Sequence, residues 1–411
     1  MITSRDWWIA AAISGAALAI RIAVGFAHAP WASPPAGDAV DYWGLAQTLH
    51  ATGTYGFGGA PSAYRMPGLP SMYAAYLTLG GTSFGGARLV VMTLSAISAG
   101  ISFLAALRFL PRRRARFVGT IMALEPYGVL FASLGVADPV ASTFLLIGLW
   151  ALAEGRDASA GLAVGIAMLV HPFFAFFVVT LCVALLAGSL ERTHPIRAST
   201  RFALTAAAVL VPWMLRNAYQ LDSFVPLSTG GGEVLYGAHN EKTFGSPEWM
   251  GDWAGMPLVR PREHGRLVGG RKEVDADQER RRLAFQEIAR NLERMPSMIA
   301  AKLGRFLGIW APKASVTGKG TYNVLYWIAC LAGLIVIACE KSRANPLFVA
   351  SAYSFAGTLA ATVVLYGNPR FRLPVTLFSA IALAALIDRA FAAVAESASN
   401  VRRGSARVNR H

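Results

Sequence analysis

Asp38 and Asp41 stand three positions apart in Gly37-Asp38-Ala39-Val40-Asp41-Tyr42, and Arg65 follows in Ala63-Tyr64-Arg65-Met66-Pro67-Gly68. A carboxylate can deprotonate a nucleophile and a guanidinium can hold an anionic leaving group, so these residue types suit transfer of a group from a phosphate. The same kinds of side chain recur further along: Asp138 in Gly135-Val136-Ala137-Asp138-Pro139, His171 before Pro172, and His239 in Tyr236-Gly237-Ala238-His239-Asn240. Arg370 and Arg372 follow in Asn368-Pro369-Arg370-Phe371-Arg372-Leu373-Pro374. Each also has an ordinary structural reading. Asp38 and Asp138 open helix-like runs and suit caps or first turns. Arg65 and Arg372 can reach toward lipid head groups, and His171 can fill a helix break.

The elements that must position these groups are built for lipid. Of 411 residues, 55% are hydrophobic and 15% charged, with mean hydropathy +0.44; a soluble domain carries about a quarter charged residues. Apolar runs near 7–27, 86–109, 117–134, 139–153, 159–170, 173–190, 202–218, 321–339, 346–366 and 372–394 predict an all-α polytopic membrane protein with about 10 spans. The first run is followed by a cleavage-like Ala27-His28-Ala29, but Pro30 follows the would-be cut and the run is long enough to span, so it reads as a retained helix. Cys182, Cys330 and Cys339 all fall inside apolar runs and suggest neither a disulfide framework nor a zinc site.

Orientation follows from the short loops. Arg108, Arg112, Arg113, Arg114 and Arg116 follow the second run, and Arg192, Arg197 and Arg201 the sixth. Lys341 and Arg343 follow the eighth run, and Arg402, Arg403, Arg407 and Arg410 form the tail. If the run broken at His171-Pro172 is two helices, as a proline without an amide donor favours, all of these share the cytoplasmic side. The domains are then a transmembrane half over 1–218 with an external loop at 28–85, and a large extracytoplasmic loop over 219–320. C-terminal helices over 321–394 and a basic cytoplasmic tail over 395–411 complete the chain. Residues 222–294 carry 12 acidic and 11 Lys/Arg side chains, so the net charge of +15 forms no external surface for nucleic acid. Met295–Trp310 is amphipathic and suits a helix lying in the outer interface. Asp38, Asp41, Tyr42, Arg65, Asp138, His171, Arg370 and Arg372 are all expected at that outer face. Arg21, inside the first span, is expected to face protein rather than lipid.

The motifs then resemble a known family. Asp38-x-x-x-Tyr42-x-x-x-Ala46-x-x-Leu49, Gly53-x-Tyr55 and Arg65-x-Pro67-Gly68-x-Pro70 resemble the first external loop of GT-C glycosyltransferases. The nearest branch is the bacterial one similar to protein O-mannosyltransferases and lipid A aminoarabinose transferase. Gly135 to Leu152, Pro212-Trp213-Met214-Leu215-Arg216-Asn217 through Thr229, and Arg370-Phe371-Arg372-Leu373-Pro374 resemble three further stretches of that branch, in order. The resemblance implies a GT-C-like helix bundle in the inner (plasma) membrane with its site on the extracytoplasmic side. It also implies sugar transfer from a polyprenyl-phosphate donor to a lipid, glycan or protein acceptor, with inversion, and Asp38 as general base. Asp41, Tyr42, Arg65, Asp138, His171, His239, Arg370 and Arg372 are the implied substrate contacts. The aminoarabinose branch puts its second acid directly after the first, where this chain has Ala39, which leaves a paired-acid role open.

Some members of the family use a divalent ion through paired acids. The first loop here has no Asp-x-Asp pair, which favours metal-independent transfer; no metal ligand or cofactor is firmly assigned, and a divalent metal stays open as the alternative. The competing class is a non-catalytic, transport or flippase component of envelope polysaccharide assembly. A transporter keeps its ionisable groups near mid-membrane and often shows internal repeats, whereas these groups gather at one face and no repeat is seen.

Overall fold

Apolar runs punctuated by proline and glycine give, in a computed structural model describing residues 2–255, 259, 269–310, 320–340 and 345–408, an almost wholly helical chain. From the N-terminus the helices are α1 (Ser4–His28), α2 (Asp38–Thr52), α3 (Gly68–Thr78), α4 (Phe84–Leu107), α5 (Arg112–Leu124) and α6 (Pro126–Leu134). Then come α7 (Ala137–Ala153), α8 (Asp157–Val170), α9 (Ala175–Leu186), α10 (Pro195–Leu221), α11 (Gly231–Ala238) and α12 (Glu241–Gly245). The chain continues with α13 (Arg271–Arg290), α14 (Met295–Leu307), α15 (Gly320–Cys339), α16 (Pro346–Val364) and α17 (Thr376–Val408). A minimal antiparallel hairpin pairs Gly56–Phe57 with Ala60–Pro61. Tight 3₁₀ turns occupy Pro172–Phe174 and Pro369–Val375. Lys341, Arg343, Arg410 and residues 256–258, 260–268 and 311–319 of the large loop lie outside the described residues.

Among the described residues, six helices are long and apolar enough to cross a membrane: α1, α4, α10, Tyr322–Cys339 in α15, α16 and Pro369–Ser397. The stretch expected as one span over 117–134 is α5 plus α6, bent by 42° and counting as a seventh if they act together. Pro126 has no amide donor for α5 to continue with, and the Glu125 side chain caps α6 by accepting from the Gly128 amide. α7, α8 and Pro172–Leu186 are apolar but shorter, so a count of about ten is not established. The chain is a multi-pass membrane protein.

Close helix packing needs small residues. A Cβ on Gly161 would lie 2.2 Å from the Phe202 carbonyl oxygen, and one on Gly165 2.7 Å from that of Ala206. The two glycines, one turn apart on α8, therefore let α10 approach to backbone contact.

The bundle has two chemically distinct ends. At one, Asp6 pairs with Arg112 at 2.9 Å, Glu154 with Arg108 at 3.0 Å and Asp157 with Arg192 at 2.9 Å. Arg114 bridges Asp388 and Glu340 there. The opposite ends of the same helices present the start of α7, the end of α8 and the turn leading into α17. The candidate residues gather at those ends.

Candidate active site

Gly37 begins the site. Its φ of +56° is a backbone state open mainly to glycine, and it turns the chain so that Asp38 is the first residue of α2. Asp38 and Asp41 both fall in the first turn, where the helix dipole favours negative charge. Gly53, in the left-handed conformation, ends α2. The chain returns through the hairpin to Arg65, whose backbone is fixed by the Tyr55 hydroxyl donating to the carbonyls of Arg65 and Met66 at 3.0 and 3.1 Å. Arg65 Nη2 donates to Asp38 Oδ1 at 2.8 Å and to Asp41 Oδ2 at 2.8 Å, and its Nε to Asp41 Oδ2 at 3.0 Å. The guanidinium carbon lies 5.4 Å from the centre of the Tyr42 ring and 4.8 Å from that of Tyr64, a cation–π arrangement that holds it without using its N–H donors.

The second arginine comes from the far end of the sequence. Asn368 caps the 3₁₀ turn by accepting from the Arg370 amide at 3.0 Å. Arg370 Nη1 donates to Asp38 Oδ2 at 2.9 Å and Nη2 to the Tyr366 hydroxyl at 2.9 Å. Its Nε lies 3.9 Å from Asp138 Oδ1, beyond hydrogen-bond reach. Asp138 is buried in the first turn of α7. Burial alone would raise the proton affinity of Asp38, but the positive charges of Arg65 and Arg370 outweigh it and hold its carboxyl well below the usual carboxylate range. His171 closes α8 and accepts from the Phe173 amide at its Nδ1, 3.2 Å away, which leaves the proton of the neutral ring on Nε2. Burial lowers its proton affinity, so the neutral form is the one present at pH 7.

These residues floor a cavity of about 550 Å³. Asp38, Tyr42, Arg65, His171 and Arg370 line it together with the apolar side chains Phe131, Leu134, Phe173, Phe176 and Leu365, and Glu233, Asp252, Trp253 and Arg281 line it too. Seven of the residues singled out in the sequence are thus brought together: Asp38, Asp41, Tyr42, Arg65, Asp138, His171 and Arg370.

His239 and Arg372 are placed elsewhere. His239 Nε2 lies 2.8 Å from Lys302 Nζ, both side chains buried. Arg372 is buried and donates to the Phe306 carbonyl at 3.2 Å, to Asn323 Oδ1 at 2.7 Å and to the Leu307 carbonyl, closing the end of α14. Arg21 is also buried, donating to Ser95 Oγ and to the carbonyls of Ala17 and Ala123 at 3.0 to 3.1 Å. The amphipathic face of α14 turns Lys302 and Arg305 into protein. Arg305 donates to the carbonyls of Met250 and Glu248 and to Asp252.

Sequence reasoning missed Tyr366, whose only signal is its place four residues before Arg370. It also missed Glu273, buried on α13, which accepts from Ser62 Oγ at 2.7 Å, from the Ala63 amide at 2.9 Å and from Thr229 Oγ1. Glu273 thereby ties the Arg65 loop to the loop before α11.

As the arginines stand here, Asp38 offers a divalent ion no free oxygen. Each oxygen of Asp38 already faces a guanidinium, and the Arg370 side chain stands between Asp38 and Asp138, where a shared cation would have to sit. Among the described residues no group of three His, Cys, Asp or Glu side chains is placed to hold a metal.

The fold is shared with solved structures. The oligosaccharyltransferase of Archaeoglobus fulgidus, in complex with an inhibitory peptide and a dolichol-phosphate, superposes with a TM-score of 0.58 at 10% identity over 97% of this chain and 52% of that one. Its apo form gives 0.54 at 12% identity, over 95% and 52%. ArnT from Cupriavidus metallidurans bound to undecaprenyl phosphate gives 0.43 at 15% identity, over 91% and 77%. This chain spans about half the length of the archaeal enzyme. No protein-family model matches it, and no curated protein matches it by sequence. At these identities the likeness is one of fold: an all-helical, GT-C-like membrane architecture, as the motifs implied.

Proposed function

We propose that this protein is an integral membrane glycosyltransferase that moves a sugar from a polyprenyl-phosphate donor to an extracytoplasmic lipid, glycan or protein acceptor. The observation that carries this reading is a carboxylate flanked by two arginines on the floor of a cavity also lined by apolar side chains. The apolar lining suits a prenyl chain entering from the bilayer, and the arginines suit its phosphate. Asp38 takes the acceptor hydroxyl proton as the oxygen attacks the anomeric carbon. The polyprenyl phosphate departs from the opposite face, and the single displacement inverts the anomer. His171, with its proton on Nε2, adds a neutral donor on the phosphate side. Trp253, Glu233 and Asp252 in the cavity lining suit a carbohydrate.

Replacing Asp38 by Asn tests the reading. Loss of transfer with donor binding retained supports Asp38 as base; transfer at the wild-type rate removes it from the mechanism.

A further inference from the structure

Resting on that reading, we propose that Asp38 and the donor phosphate share one pair of arginines, so that donor binding frees the base and must precede productive binding of the acceptor. In the structure both carboxylate oxygens of Asp38 are taken, Oδ1 by Arg65 and Oδ2 by Arg370. A carboxylate held this way has little affinity for a proton and makes a weak base, because efficient proton transfer needs a proton affinity matched to the working pH.

The cavity offers the phosphate few other partners. Its third lining cation, Arg281, is already paired with Asp277 at 2.7 Å. His171 is neutral and brings one donor. An anion seated on the floor therefore draws on Arg65 and Arg370. Both can give up Asp38 and keep an acid: Arg65 retains Asp41 through two donors, and Arg370 stays close to Asp138. Arg370 Nε is moreover buried without a hydrogen-bond partner, so the guanidinium is not locked into its present pose by all of its donors.

Charge is conserved through the whole step. In the free site the carboxylates of Asp38, Asp41 and Asp138 against the guanidiniums of Arg65 and Arg370 leave one net negative charge. The donor phosphodiester adds one negative charge, takes the arginines and leaves Asp38 basic. On transfer, the acceptor oxygen forms its bond to the anomeric carbon and gives its proton to Asp38. The bond from that carbon to the phosphate oxygen breaks with its electron pair on the phosphate, which becomes a dianion. Neutral Asp38 no longer needs the arginines as the dianion claims both. When Asp38 releases its proton to water it recaptures them, and the polyprenyl phosphate is displaced. One exchange thus orders binding and promotes product release.

The test is equilibrium binding of undecaprenyl phosphate to the full chain in lipid nanodiscs, comparing wild type with Asp38→Asn, Asp38→Ala and Asp41→Asn, each checked for its melting temperature. Removing an acid that competes for the arginines should tighten phosphate binding by about tenfold in both Asp38 variants, within the ordinary range of site-to-site coupling. Asp41→Asn should tighten it much less. Unchanged or weaker binding by a folded Asp38 variant overturns the exchange, as does equal tightening in Asp41→Asn, which would mean a general field effect. Using Ala as well as Asn guards against one variant failing to fold. Absence of binding by the wild type itself instead overturns the functional reading, and the exchange with it.

Discussion

Arg370 Nη1 donates to Asp38 Oδ2 at 2.9 Å, although 332 positions separate the two residues in sequence. The bond joins α2, in the loop after the first helix, to the turn that starts the last helix, so the candidate base reaches its working environment only when the whole bundle has closed. Replacing Arg370 by Met removes the cation that Asp38 and Asp138 share. Buried Asp138 then loses its nearby cation while Asp38 keeps only Arg65, which should destabilise the protein by about 3 kcal/mol, seen as a lower melting temperature. Arg370→Lys restores the charge but cannot reach Asp38 and Tyr366 at once. It should recover most of the stability while undecaprenyl phosphate binding stays weakened.

Glu273 should behave as a positioning residue. It accepts from the Ala63 amide and from the hydroxyls of Ser62 and Thr229, and each buried donor left unsatisfied costs about 1–3 kcal/mol. Glu273→Ala should therefore lower stability and raise amide exchange across residues 55–66, the segment that holds Arg65. Glu273→Gln, which keeps one acceptor oxygen, should fall between. Exchange in that segment unchanged from wild type would contradict the role.

His239 gives a pH dependence with a definite sign. Burial, and then the neighbouring Lys302 charge, push its pKa down to about 4 from 6.5. The unfolded chain therefore takes up a proton between those values that the folded chain refuses. The contribution of His239 to stability should be full above pH 6.5, fall as the pH is lowered toward 4, and show no further loss below that. His239→Gln should flatten the slope of melting temperature against pH in that window. Lys302, pushed down to about 7 by burial, works at higher pH: stability should rise from pH 7 toward 10, and Lys302→Met should remove that rise.

The α8–α10 contact sets where His171 stands. A Cβ at Gly161 would meet Thr205 Oγ1 at 2.1 Å as well as the Phe202 carbonyl, so the two helices must part. Overpacking of this kind costs about 1–3 kcal/mol. Gly161→Ala should lower the melting temperature and also reduce transfer by displacing the end of α8. Gly15→Ala, where a Cβ meets nothing within 4 Å, is the neutral control.

Much of this was legible in sequence because lipid imposes simple rules. Apolar runs marked the helical class. The acids and arginines of the first loop and of the last turn marked most of the site. What remained hidden depends on three-dimensional direction. Arg370 and Arg372 are two residues apart in a turn of three residues per rotation, so their side chains leave on different sides. One meets Asp38, the other closes α14, and composition cannot say which is which. The break at Glu125-Pro126 was passed over because apolar residues flank it on both sides within 117–134. His239 was expected among the substrate contacts from the resemblance; its partner, Lys302, lies 63 positions on, a pairing that sequence does not show.

The most direct test of Asp38 as the base of a glycosyl transfer is mass spectrometry of envelope glycans from three strains: the parent, a deletion, and one whose only copy carries Asp38→Asn at the parental membrane level. The expected result is that Asp38→Asn reproduces the deletion, with the same glycan lacking the same sugar. A parental glycan pattern from the Asp38→Asn strain would contradict it.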